Sequence, residues 1–190
     1  IYYNPGSLKA INCREGKSDM EIFCKNEGVE FEICGKVIVA VSERELSSLE
    51  TIYQRGRANG VRCEMIGPEK LNELEPHVSG IRALHVPDAG IVNFKKVCDR
   101  LQFRIKETEQ NKIFLSRKVT SIKQLAQSII VKTESEEFES KHLVNCAGLY
   151  SDKVTAMTQS PESKIVPFRG EYYEIIPEKR YFCKNLIYPV

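Results

Sequence analysis

The segment KHLVNCAGLYSD, residues 141–152, concentrates the residue types that let a ligand reach a protein backbone. An apolar pair, Leu143-Val144, gives way to three small residues, Cys146-Ala147-Gly148, before the chain turns polar. A strand that merely ended at the surface would need only a turn residue. One whose end receives a large, flat or phosphorylated ligand must lose side-chain volume as well, because only small residues leave the backbone open. The pattern predicts a parallel strand ending at Cys146-Ala147-Gly148, on the carboxyl edge of a sheet where α/β proteins bind ligands. Ser151 then stands where it would cap the next helix and turn its N–H groups toward an anion. The same residues also describe a plain tight connection between strand and helix.

Other chemistries find less support. The seven cysteines, at positions 13, 24, 34, 63, 98, 146 and 183, are odd in number and form no CxxC pair. Such scatter fits free thiols in a reducing compartment rather than a disulfide framework or a zinc site. His77, His85 and His142 have no metal-like spacing. His85, in ALHVP, has the apolar neighbours of a satisfied, half-buried histidine. With 190 residues, 42% hydrophobic, 28% charged and a formal net charge of +2, the chain reads as globular and carries no electrostatic case for nucleic acid. No apolar run reaches membrane-spanning length, and IYYNPGSLKA does not read as a signal peptide. The chain opens on Ile1 and closes on NLIYPV, a strand-like run, which reads as a piece of a longer protein.

The elements that must position these residues follow from periodicity and punctuation. Ser7 and Gly28 bracket a predicted helix over residues 7–26, and VEFEICGKVIVAVS reads as a hairpin or two short strands. Leu46, Leu49, Ile52 and Tyr53 share one face of a predicted helix over 43–59. VRCEMI is a short strand and Pro68 opens a short helix ending near Glu75. Two extended pieces flank Pro87-Asp88-Ala89-Gly90, and Val97, Leu101 and Ile105 predict an amphipathic helix. Short strands follow to residue 148, with the acidic run ESEEFES a solvated turn, then a short helix in SDKVTAMTQS. KIVPFRGEYYEIIP and NLIYPV are predicted as strands. The fold class is therefore α/β (α+β mixed), with two interleaved domains. Residues 1–27 and 92–160 form one α/β layer, and residues 28–91 and 161–190 a second, sheet-rich layer.

NCAGLYSD resembles the segment N-x-A-G-x-[WY]-[SA] found near the FAD of D-amino-acid-oxidase-like flavoproteins. Within that superfamily the chain resembles the L-2-hydroxyglutarate dehydrogenase/oxidase family. IYYNPGSLKA, ALHVPDAGIVNF, NCAGLYSD and KIVPFRGEYYEIIPEKR with NLIYPV occur in the family's order and span nearly the whole chain. The family opens with a βαβ unit carrying G-x-G-x-x-G; the glycines at 6, 16 and 28 lack that spacing, and a family histidine just before the IYY segment is also missing. The resemblance is thus to the middle of such an enzyme. It makes the two layers FAD-binding (1–27, 92–160) and substrate-binding (28–91, 161–190).

The resemblance implies FAD as cofactor and oxidation of L-2-hydroxyglutarate to 2-oxoglutarate, with hydride transfer to the flavin. It places the backbone of Val119 at the adenine edge, Cys146, Ala147 and Gly148 against the dinucleotide, and Tyr2, Tyr3 and Ser7 where the chain passes the cofactor. Arg169, in FRGEYY, offers the guanidinium that a hydroxy-dicarboxylate requires, and Tyr173, Tyr172 or Tyr188 a hydroxyl donor. A structural pairing of Arg169 with Glu171 or Asp152 remains open. His85 is an alternate base to the missing upstream histidine. The resemblance further implies an electron acceptor that is oxygen or a quinone. Its implied location is cytoplasmic, peripheral to the inner membrane, or mitochondrial in a eukaryote. A related amino-acid or hydroxy-acid oxidase, and a non-catalytic truncated module, are the alternative readings.

Overall fold

Local signals start and stop most elements where the sequence predicts. A computed structural model describes residues 1–190. In chain order its elements are α1 (Leu8–Glu27), β1 (Phe31–Glu32), β2 (Lys36–Ala40), α2 (Leu46–Ala58), β3 (Glu64–Ile66), α3 (Pro68–Leu74), β4 (Arg82–Val86), β5 (Ile91–Val92), α4 (Phe94–Lys106), β6 (Val119–Gln124), β7 (Ile129–Thr133), β8 (Glu137–Ser140), α5 (Ser151–Thr155) and β9 (Leu186–Pro189). The predicted α/β class holds. Ser7 caps α1 by accepting from the Ala10 N–H at 3.3 Å, and Asn93 caps α4 by accepting from Lys95 and Lys96.

The chain divides into two units, Ile1–Glu107 with Glu174–Val190, and Thr108–Tyr173. In the first, a four-stranded sheet has the order β3-β4-β2-β9, antiparallel except where β9 runs parallel to β2. Alternation along β2 sends Val37 and Val39 to one face, with Ile66, Leu71 and Ala83 under α3. Ile38 and Ala40 go to the other, with Leu84, Val86 and Leu49 of α2. Ile38, Leu49, Leu71 and Leu84 are fully buried, each contributing about 1.5–3 kcal/mol. A third cluster, Cys24, Val29 and Val97, packs α1 against α4 near the β1–β5 pair. β1 and β2 do not pair with each other, so the region forms two short strands and not a hairpin.

The second unit is an antiparallel meander, β6-β7-β8, followed by α5. Three predictions fail in it. Residues 141–147 form no strand, parallel or otherwise, because no strand of the chain pairs with them; Val144 is 80% exposed. Residues 164–176 form none either, for the same reason, so Arg169 and Tyr173 lie on unpaired backbone. Ser151 is not a cap but the first residue of α5, behind a 3-10 turn at Gly148–Tyr150. On α4, Val97 is buried as predicted whereas Leu101 and Ile105 are exposed, leaving its apolar stripe half covered.

Candidate functional site

In the second unit the small-residue segment is open. Gly148 has φ +56°, a left-handed value, and an added Cβ there would meet no heavy atom within 4 Å. Cys146 is exposed and Ala147 half-buried, so side-chain volume is indeed missing along this backbone. Asn145, which sequence reasoning missed, braces the turn. Its Nδ2 donates to the Ser151 carbonyl at 2.9 Å and to Thr155 Oγ1 at 3.2 Å, while its Oδ1 accepts from the Ala147 N–H at 3.2 Å. A signal for it exists: Asn favours such local side-chain-to-backbone bonds, and it stands immediately before the small run. Ser151 contributes its carbonyl here rather than its hydroxyl. Val119 begins β6, an edge strand, opposite Thr133 and beside an irregularity at Val119/Ser121. Alternate backbone groups on the outer side of such a strand meet no ladder. Arg169 is 85% exposed, 3.6 Å from Glu171, and Tyr173 is almost wholly exposed.

In the first unit the residues fall on two faces of one sheet. Lys36, paired with Val86 and Leu186, shares its face with Ile38 and Tyr188. Its ammonium lies 4.4 Å from the Tyr188 ring centroid and 5.2 Å from that of Tyr2. Arg55 and Asn59 of the α2 side hold this N-terminal turn, donating to the carbonyls of Tyr2 and Tyr3 at 3.3 and 2.9 Å. Burial pushes the Lys36 ammonium below its ordinary pKa, and burial, with Tyr188 beside it, pushes the Tyr2 phenol up. Ser7, at the head of α1, also donates to the Asn4 carbonyl at 2.7 Å, so its hydroxyl is engaged in the turn.

His85 is opposite Val37 and Glu64, on the α3 face, and so lies across the sheet from Lys36 and Tyr2. Its Nδ1 is 3.6 Å from Glu64 Oε1. On the same face Glu75, with 0% exposure, accepts from the N–H groups of Lys184 and Asn185 and from Asn185 Nδ2. Asn185 is thereby held against Gly35. With φ at +79° and Asn185 Oδ1 only 2.6 Å from where a Cβ would stand, Gly35 admits no side chain. Neither Lys36 nor Glu75 stands out in the sequence; a lysine opening an apolar strand and a glutamate ending a helix are ordinary in isolation.

The whole chain, residues 1–190, matches the FAD dependent oxidoreductase family, to which it belongs. It is 42% identical over 193 residues to an L-2-hydroxyglutarate dehydrogenase of Indibacter alkaliphilus, covering 100% of this chain and 48% of that protein. It is 43% identical over 197 residues to a mitochondrial L-2-hydroxyglutarate dehydrogenase of Caenorhabditis elegans, covering 100% and 45%. The chain thus spans about half the length of the relatives it matches. In fold it is similar to the FAD-bound, dithionite-reduced L-α-glycerophosphate oxidase of Mycoplasma pneumoniae, with TM-score 0.79, 22% identity and coverage of 98% of this chain and 51% of that one. L-proline dehydrogenase from P. horikoshii is a second fold relative, with TM-score 0.75, 17% identity and coverage of 93% and 48%. The residues fit the cofactor of this family at one point the structure displays: the backbone at 146–148 is uncovered, with room at Gly148 for a close approach.

Proposed function

We propose that the chain is the central part of a flavoenzyme that oxidises L-2-hydroxyglutarate to 2-oxoglutarate. The observation that carries the reading is the alignment of its full length with proteins named L-2-hydroxyglutarate dehydrogenase at 32–43% identity. When bound, FAD supplies the two-electron acceptor; the protein supplies orientation and charge. In this reading the backbone at Cys146, Ala147 and Gly148 and at Val119 borders the dinucleotide, with Asn145 and Ser151 fixing the turn. Tyr2 and Ser7 are proposed where the chain passes the cofactor. Residues 1–27 and 92–160 then act as FAD-binding segments, and 28–91 and 161–190 as substrate-binding ones.

Arg169 and Tyr173 are the groups proposed to meet a substrate carboxylate, and their exposure leaves both free to do so. His85 receives a packing role, because the sheet stands between it and Tyr2. The electron acceptor in this reading is oxygen or a quinone. The proposed setting is the cytoplasm, or mitochondria in a eukaryote, with peripheral membrane contact; no helix is long and apolar enough to cross a bilayer.

The test is turnover by the full-length holoenzyme. Flavin absorbance together with oxidation of L-2-hydroxyglutarate in preference to lactate, glycolate and a panel of amino acids supports the proposal. Preference for an amino acid or another hydroxy acid identifies a related oxidase, and a colourless full-length protein identifies a non-catalytic module.

A further inference from the structure

Lys36 is a half-buried cation without an anion. No carboxylate lies within ion-pair distance of it, and its ammonium stands over the rings of Tyr188 and Tyr2. An ammonium withdrawn from water is costly unless paired, and aromatic faces replace only part of the lost hydration. The other cationic side chains around the cavity it borders are engaged. Arg14 donates to the Asn59 carbonyl, Lys17 is paired with Glu21, and Arg62 is paired with Asp88. That cavity holds about 300 Å³. Lys36 is also held rigidly, at the first residue of a central strand paired on both sides, with Val86 and Leu186.

We propose that Lys36 is a specificity residue whose ammonium pairs with a carboxylate of the dicarboxylic substrate, framed by Tyr2 and Tyr188. The inference rests on the functional reading above and adds to it a group that discriminates a dicarboxylate from a monocarboxylate. The arrangement suits that task. The Tyr188 and Tyr2 rings lie 4.4 and 5.2 Å from the ammonium, and a substrate ending in an uncharged methyl group would leave the cation half-buried and unpaired. Arg169, largely solvated and beside Glu171, offers a weaker contrast between the two kinds of acid.

The experiment compares wild-type, Lys36→Met and Lys36→Arg full-length holoenzymes on L-2-hydroxyglutarate and on L-2-hydroxyvalerate, which has the same chain length and one carboxylate. In Lys36→Met, kcat/KM for the dicarboxylate is expected to fall about a hundredfold, mostly through KM. Turnover of the monocarboxylate and flavin content should stay near wild type, with partial recovery in Lys36→Arg. An unchanged ratio between the two acids overturns the proposal. A second measurement removes dependence on the variants folding: acylation of Lys36 in the wild-type holoenzyme, read by peptide mass spectrometry with and without 2-oxoglutarate or glutarate. Protection supports the pairing, and equal labelling overturns it. Wild-type enzyme that ignores L-2-hydroxyglutarate defeats the functional reading itself, a result distinct from failure at Lys36 because the labelling with glutarate is read without turnover.

Discussion

Glu75 and Arg169 show how burial decides what one charge is worth. The Glu75 carboxylate has no access to water and is the acceptor for two backbone N–H groups and the Asn185 amide. Glu75→Ala removes the acceptor and leaves those half-buried donors without it, so a loss of about 1–3 kcal/mol is expected in urea unfolding, with Glu75→Gln losing less. If the alanine variant unfolds at the wild-type midpoint, Glu75 does not anchor the approach to β9. Arg169 is the opposite case. Its guanidinium is solvated, so Arg169→Ala should leave the unfolding midpoint within about 0.5 kcal/mol of wild type. If it meets the substrate as proposed, the same variant raises KM for L-2-hydroxyglutarate several-fold while flavin content holds; kinetics identical to wild type eliminate that role. Gly148 lies between these. Its left-handed φ makes Gly148→Ala cost about 1 kcal/mol, yet no neighbour obstructs the new methyl. A lowered flavin affinity beyond that modest stability loss would mark the methyl as occupying the cofactor's space.

At the scale of elements, α1 and α4 are joined by charge as well as by the Cys24–Val97 contact. Glu27, at the last residue of α1, accepts from Arg104 and from Arg100 at 2.8 Å. These bonds, Arg104's first and then Arg100's, hold the Glu27 carboxyl below its ordinary pKa. A depressed carboxylate stabilises the fold above its unfolded value, about 4.3, and that contribution is lost as pH falls through the lower folded value. The wild-type Tm should therefore fall more steeply than that of Glu27→Gln below about pH 4, and parallel curves would show the cluster to be inert. Helices are legible because their signals are local: Ser7 and Pro68 each mark a start within one turn of the residues they serve, and α4 shows in the spacing of Val97, Leu101 and Ile105. Pairing is not legible. Lys36 meets Leu186 across nearly the whole chain, and nothing within KVIVA announces that partner. FRGEYY has the composition of a strand, but composition cannot supply a neighbouring ladder, and the segment has none. The site divides in the same way. The volume lost at Cys146-Ala147-Gly148 is visible in the residue types, whereas the faces that separate His85 from Tyr2 depend on strand register.

Across the whole molecule, apolar burial is unevenly shared. The sheet β3-β4-β2-β9 has a core on both faces, filled from α2 and α3, whereas in residues 108–173 only Ile122 among the hydrophobic side chains is buried. The antiparallel pairing of β6, β7 and β8 supplies backbone hydrogen bonds to that second unit, but such bonds contribute little net stability where water competes for them. Local opening free energy follows buried apolar contact, so the two units should not open together. In native-state hydrogen exchange on residues 1–190, the amides of β6–β8 are expected to exchange well before those of β2 and β4. Limited proteolysis should correspondingly cut first within 108–173, where the exposed run around Phe168 and Tyr172 offers unpaired backbone. Equal protection of the two sets of strands would mean that the meander draws its stability from something other than the packing of its own side chains.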